Sequence, residues 1–283
     1  MSYLKGTMIE LGNYNTLTIL RSTSVGLFLG DEDVDDLLLP NKYVPDDFEI
    51  GDKIDVFCYL DHEERPIATT LQPFIKRNEF GFLRVAEVND IGAFMDWGLE
   101  KHLLVPYAEQ RTKLIEGNWQ VIYCYLDDRS FRLVGSSKLS KFMNNDSLEV
   151  AENDEVDLLV YRRSELGWDV VVNGCHRGLI FHSDVFQPLA EGDLVKGFVK
   201  QIRPDKKLDI TLQPIGAKAL EPAAQMIYQK LKEQGGYIKL HDKSSPEEIK
   251  TWFAMSKKTF KKAIGTLYKD HKISIKEDGI YKI

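Results

Sequence analysis

The sequence predicts a mainly β chain, with three tandem barrels of five short strands followed by a smaller basic domain of mixed helix and strand. Three observations carry this reading. A set of anchor residues recurs three times at fixed offsets, the charge balance changes sign toward the C-terminus, and apolar spacing switches there from short runs to a helical period. Of the 283 residues, 43% are hydrophobic and 29% charged, an ordinary globular composition that excludes disorder, collagen and coiled coil for the chain as a whole. Three separated cysteines, Cys58, Cys124 and Cys175, exclude a disulfide scaffold and a cysteine-rich zinc site. No apolar run approaches the roughly 20 residues of a membrane span. The stretch Met1–Gly6 lacks a signal peptide's apolar core, so a cytoplasmic location is expected.

The repeat starts with Leu38-Leu39-Pro40, Leu104-Val105-Pro106 and Leu179-Ile180-Phe181. Each triplet is followed 11 residues later by a glycine, at Gly51, Gly117 and Gly192. In the first and third copies a Thr-Leu-Gln-Pro string ends 22 residues beyond that glycine, at Pro73 and Pro214. Agreement of this kind marks homologous modules of about 65–75 residues. Within each, short apolar runs such as Leu27-Phe28-Leu29, Val121–Leu126 and Val170-Val171-Val172 are punctuated by Gly, Asp and Asn, the pattern of a small closed barrel. The three glycines are expected to open the fourth strand of their modules. Cys58 and Cys124, each seven residues past its glycine, read as small buried strand residues.

The second module carries a nameable pattern. Gly81-Phe82-Leu83-Arg84-Val85-Ala86-Glu87-Val88 leads into Asp90-Ile91-Gly92-Ala93-Phe94-Met95-Asp96, then Leu104-Val105-Pro106, Gly117-Asn118 and Tyr125-Leu126-Asp127. It resembles the OB-fold RNA-binding domain named after ribosomal protein S-one, over most of residues 78–139. In that family aromatic side chains on strands two and three stack on bases, and late polar residues bind backbone or base edges. The resemblance implies a base contact for Phe94 and a polar contact for Asp127, with Arg132 near the family's late arginine. Ile91 and Pro106 replace two expected contact residues. Phe82 belongs to the same candidate set. The third module contributes Trp168, Phe181, His182, Lys206 and Lys207, with Asp169 at the family's aromatic position unless a bulge shifts the register. The first module is the weakest echo, and its acidic run Asp31-Glu32-Asp33 and Asp35-Asp36 repels phosphate, so it reads chiefly as a packing module. Each ring named has a core-packing alternative, and stacking on an aromatic is worth about 1–3 kcal/mol per base where it occurs.

From residue 217 onward the chain has fourteen lysines against eight acidic side chains, a net +6, whereas the first 216 residues carry −13. A helix is expected over 217–234, ended by Gly235-Gly236, then a short strand at Tyr237–Leu240. Ser245-Pro246-Glu247-Glu248 starts a second helix, with an N-cap, a proline in the first turn and acids facing the helix dipole. Ser256 caps a third helix running to Lys269, and Ile273–Ile275 with Ile280–Ile283 make a hairpin about Glu277-Asp278-Gly279. Helix, strand, two helices and hairpin make a winged helix-turn-helix. At about 100° per residue, Phe260, Ile264 and Leu267 share one face of the third helix and Lys258, Lys261, Lys262 and Lys269 the other. That basic face suits a phosphate backbone, and without Arg, Asn or Gln on it, bidentate base reading is not expected. The alternative is a solvated lysine face.

The expected domains are therefore residues 1–75, 76–142, 150–216 and 217–283. This order of three OB-type modules and a winged helix resembles the conserved virulence factor B family of bacterial proteins, over residues 5–283, with Gly235–Pro246 closest to the family tail. The resemblance implies RNA binding and post-transcriptional regulation of gene expression. No phosphate-cradling Gly-x-x-x-x-Gly-Lys string, His-Glu-x-x-His, Cys-x-x-Cys or Gly-x-Ser-x-Gly occurs, so no enzyme, cofactor or metal site is expected. The favoured partner is single-stranded RNA. An adaptor acting through proteins of the ribosome or transcription machinery and a DNA-binding transcriptional regulator are the alternatives.

Overall fold

The computed structural model describes residues 9–31, 34–214 and 220–283; Glu32 and Asp33 of the acidic run and the first residues of the expected 217–234 helix lie outside them. Strands β1 (Tyr14–Thr23), β2 (Gly26–Asp31), β3 (Val34–Pro40), β4 (Lys53–Leu60) and β5 (Pro66–Thr69) close into a barrel of order β1-β2-β3-β5-β4. The second module supplies β6 (Phe80–Val88), β7 (Gly92–Asp96), β8 (Leu103–Pro106), β9 (Trp119–Leu126) and β10 (Leu133–Ser136) in the same order. Its edges β8 and β10 lie side by side without a hydrogen-bonded ladder, so this barrel is nearly closed. The third, closed again, comprises β11 (Glu155–Arg163), β12 (Gly167–Val172), β13 (His176–Phe181), β14 (Leu194–Ile202) and β15 (Leu208–Thr211). The chain divides into two compact units, residues 1–142 and 143–283.

The repeated residues do the same work three times. The β1, β6 and β11 ladders each skip one residue, at Leu20, Ala86 and Tyr161, a bulge that bends the strand round the barrel. Gly26, Gly92 and Gly167 start the following strand where the backbone of the next strand presses in. A Cβ there would lie 2.1, 2.4 and 1.9 Å from the carbonyl oxygens of Leu39, Val105 and Ile180. Gly51, Gly117 and Gly192 hold φ of +97°, +81° and +94°, which glycine adopts without a steric penalty. Their N–H groups donate to the carbonyls of Ile19, Val85 and Val160 at 2.8–2.9 Å, and the fourth strand begins two residues later.

Each barrel has an apolar filling. Cys58 and Cys124 sit inside on β4 and β9, and burial pushes both thiols up to about 12, so neither is a thiolate at neutral pH. The filling of the second barrel extends into the first, because Phe57 and Tyr59 on β4 pack with Trp97; the Phe57 and Trp97 rings meet edge-on at 5.8 Å.

The last module contains α1 (Leu220–Glu233), β16 (Tyr237–Ile238), α2 (Pro246–Phe253), α3 (Lys257–Lys269), β17 (Ile273–Lys276) and β18 (Gly279–Lys282), with sheet order β16-β18-β17. Ile227 and Leu231 of α1, Ile249 and Phe253 of α2, and Phe260, Ile264 and Leu267 of α3 share one core. Ser245 and Glu248 form a reciprocal capping box, and Ser256 caps α3.

Candidate nucleic-acid interface

On β12, Trp168, Val170 and Val172 pack toward the barrel filling, so Asp169 takes the outward register. It lies opposite Leu179 on β13, which lies beside Asp209 on β15. Both carboxylates are almost covered, at 4% and 8% exposure. A buried carboxylate must be paired, and guanidinium groups do this. Arg162 Nε donates to Asp169 Oδ2 at 2.7 Å, and Arg177 Nη2 reaches Asp169 Oδ1 at 3.5 Å. Arg203 Nε donates to Asp209 Oδ2 at 3.1 Å, while its Nη2 stands 2.9 Å from Oδ1 without hydrogen-bond alignment. Three arginines against two aspartates leave a net positive face whose guanidinium planes are held in place and remain partly exposed. Phe181, half-buried, has the Arg203 guanidinium 5.5 Å from its ring centre.

Phe181 was among the candidates named from the sequence, whereas Arg162, Arg177 and Arg203 were not. For Arg203 alone the repeat marks the position, though not the residue type. Asp61, Asp127 and Arg203 all open the turn between the fourth and fifth strands, their N–H groups donating to the carbonyls of Arg65, Arg132 and Lys207. An extra residue in β14, where the ladder skips between Val199 and Gln201, shifts the third copy by one position and hides the equivalence.

The other third-barrel candidates are arranged around this face rather than on it. Trp168 lies opposite the core residue Ile180, packs against the barrel filling, and has Arg163 5.9 Å from its ring. No bulge interrupts β12, so Asp169 does occupy the register of Phe94. His182 is exposed on a short 3-10 turn, with Nε2 3.1 Å from the Ser164 carbonyl. In the β14–β15 turn Lys206 donates to the Asp146 carbonyl at 2.8 Å and Lys207 pairs with Asp205 at 2.8 Å.

In the second barrel, Phe94, Asp127 and Arg132 line one groove of about 390 Å³. Ile91, Leu104 and Pro106 give it an apolar lining, and Tyr59 and Glu64 of the first barrel form a wall. Its cations are engaged internally. Arg132 pairs with Glu64 at 3.0 Å, and Lys101 pairs with the same carboxylate and donates to the Asp61 carbonyl. Asp127 accepts from the Ser130 hydroxyl and N–H, which hold its carboxyl below the usual range. Phe82 lies outside this groove, stacked on Trp119.

In the winged helix, Phe260, Ile264 and Leu267 are buried and Lys258, Lys261, Lys262 and Lys269 exposed, as the helical spacing predicts. Among the described residues none of these four lysines has an acidic partner. Barrel and winged helix meet where Gln213 Nε2 donates to the Ala254 carbonyl at 2.7 Å and Lys250 lies over Phe186. Among the described residues, no group of His, Cys, Asp and Glu is placed to hold a metal, and no helix is long and apolar enough to cross a membrane.

Comparison with known proteins agrees with this architecture. Residues 225–281 match the model of the CvfB-like winged helix domain, and residues 11–71 that of the S1 domain. The second match falls on the first barrel, whose sequence echoes the pattern least by eye. Conserved virulence factor B of Staphylococcus epidermidis (strain ATCC 12228 / FDA PCI 1200) is 29% identical over 83% of this chain and 81% of its own. A crystal structure of a multidomain protein with nucleic acid binding domains from Streptococcus pneumoniae covers 96% of this chain and 98% of its own, at 27% identity and a TM-score of 0.43. The uncharacterized protein YitL of Bacillus subtilis (strain 168) is 32% identical over 95% of this chain and 92% of its own length. Identity sustained along nearly the whole chain, three barrels of one topology and a matching winged helix establish that the chain belongs to the conserved virulence factor B family.

Proposed function

We infer that the protein is a non-enzymatic regulator that grips single-stranded RNA, chiefly through its third barrel and winged helix. The outward face of the third barrel carries the reading. Arg162, Arg177 and Arg203 are fixed by two buried carboxylates beside Phe181, an arrangement of planar cations and a ring that suits phosphates and unpaired bases together. The unpaired lysines of α3 add a phosphate-binding surface in the same compact unit. His182, next to Phe181, and Lys206 and Lys207 in the β14–β15 turn extend the barrel face, whereas Trp168 belongs to the inward register.

The test is an anisotropy titration with oligo-uridylate, oligo-adenylate and duplex DNA over a salt series. Single strands bind more tightly than duplex, and affinity falls with salt. Changing Lys258, Lys261 and Lys262 to Glu flattens the logarithmic salt slope by about 2, at roughly 0.7 per phosphate contact. Phe181→Ala weakens binding about tenfold. Duplex preference, or a salt slope untouched by the lysine changes, overturns the reading. A protein partner is favoured at one place only, the second-barrel groove, whose lining is apolar and whose cations are already paired. Phe94→Ala decides it: a loss of oligonucleotide affinity assigns the groove to RNA.

A further inference from the structure

The first and fourth strands of each barrel form an outward face, and the three copies build it differently. The first barrel sets Thr16 opposite Asp55 and Thr18 opposite Lys53, and the third sets Asp157 opposite Lys196 and Leu159 opposite Leu194. Thr16 donates to the Asp55 carboxylate, and Lys196 pairs with Asp157 at 2.6 Å, the polar pairs of a solvated strand face. The second barrel instead sets Phe82 opposite Val121 and Arg84 opposite Trp119. The fold does not require rings at this register, because its own two other copies manage without them.

Half of this aromatic face is closed. Phe80, Tyr123, Phe142 and Tyr125 follow one another with ring centroids 4.6, 4.1 and 5.0 Å apart. The other half is open. Trp119 stacks on Phe82, at 5.4 Å between centroids and 29° between planes, yet remains 54% exposed. A ring covered on one side and still more than half exposed presents its second side to solvent. Arg84 beside it is exposed and makes no ion pair among the described residues. Its neighbour on the other strand, Asp96, accepts from the Gly98 N–H at 3.0 Å.

We propose that Trp119, backed by Phe82 and flanked by Arg84, is a stacking platform for an unpaired base of single-stranded nucleic acid. The platform shares no residue with the groove lined by Phe94 and is a separate site on the same barrel. The indole takes the base and Arg84 meets a neighbouring phosphate. This rests on the nucleic-acid reading given above, and the experiment separates the two.

The full chain is titrated with a 12-residue oligo-uridylate and its deoxy counterpart, as wild type, Trp119→Gln, Trp119→Phe and Arg84→Gln. Trp119→Gln weakens both oligonucleotides by about 5- to 30-fold at unchanged salt slope, since stacking releases no counterion. Trp119→Phe recovers most of the affinity and loses part of the tryptophan quenching seen on binding. Arg84→Gln lowers the slope by about 0.7. If the wild type binds and Trp119→Gln binds equally, the platform is wrong and the function stands. If the wild type binds neither strand at low salt, the function itself fails. Unchanged affinity with altered sedimentation assigns the face to a protein contact and also overturns the platform. Should Trp119→Gln unfold, quenching lost from Trp119→Phe still supports the platform, and quenching fully retained overturns it.

Discussion

Gly92 and Gly117 are both invariant features of the repeat, but for different reasons. At Gly92 the space is missing, because a Cβ would stand 2.4 Å from the Val105 carbonyl oxygen, and backbone does not yield as a flexible side chain does. At Gly117 space is open but φ is +81°. Gly117→Ala therefore costs about 1 kcal/mol in backbone strain. Gly92→Ala forces β7 away from β8 and costs more, about 1–3 kcal/mol or above, the scale of overpacking. Thermal unfolding of the two variants measures this, and the opposite order would sink the steric argument. The same residue-level logic separates Phe94 from Asp169. They share a register, yet one is a half-buried ring over a groove and the other a covered carboxylate that orients two arginines.

Among the elements, α2 was the most legible. Its capping box is local in sequence, with Ser245 accepting from the Glu248 N–H at 3.2 Å and the Glu248 carboxylate accepting from the Ser245 N–H at 2.8 Å. The Ser245 N–H, with the Ser245 hydroxyl beside it, holds the Glu248 carboxyl below its usual range. Ser245→Ala should destabilise the winged helix by about 1 kcal/mol, read by chemical denaturation, and an unchanged midpoint would show the cap to be redundant. The barrels were legible for another reason: three copies of one glycine spacing expose a periodicity that a single copy hides. The third barrel's charged face was not legible. Gly167–Val172 is apolar on both sides of Asp169, so no alternation tells which side faces the filling, and the ring of Trp168 reads equally well inward or outward. The pairing of Arg162, Arg177 and Arg203 with Asp169 and Asp209 depends on cross-strand register, and the extra residue in β14 breaks the alignment that would have revealed it.

At the scale of the whole molecule, repetition in sequence does not mean independence in packing. Residues 1–142 carry fifteen basic and twenty-three acidic side chains, and residues 143–283 twenty-two and twenty-one, so the long-range field for an RNA is least hostile over the second unit. Within the first unit two barrels share an interior. Phe57 on β4 is fully buried, yet it lies in the cluster that fills the second barrel and meets Trp97 there. Ion pairs reinforce the junction, Lys101 with Glu64 at 3.0 Å and Lys42 with Glu100. Exposed pairs contribute little, so the rings carry most of the coupling. Phe57→Ala should then cost about 3–5 kcal/mol, the scale for emptying a buried aromatic site. Because the lost contacts belong to both barrels, the amides of β6 and β9 should lose hydrogen-exchange protection together with those of β1 and β4. Protection lost in the first barrel alone would show that the two fold as separate units despite their common filling.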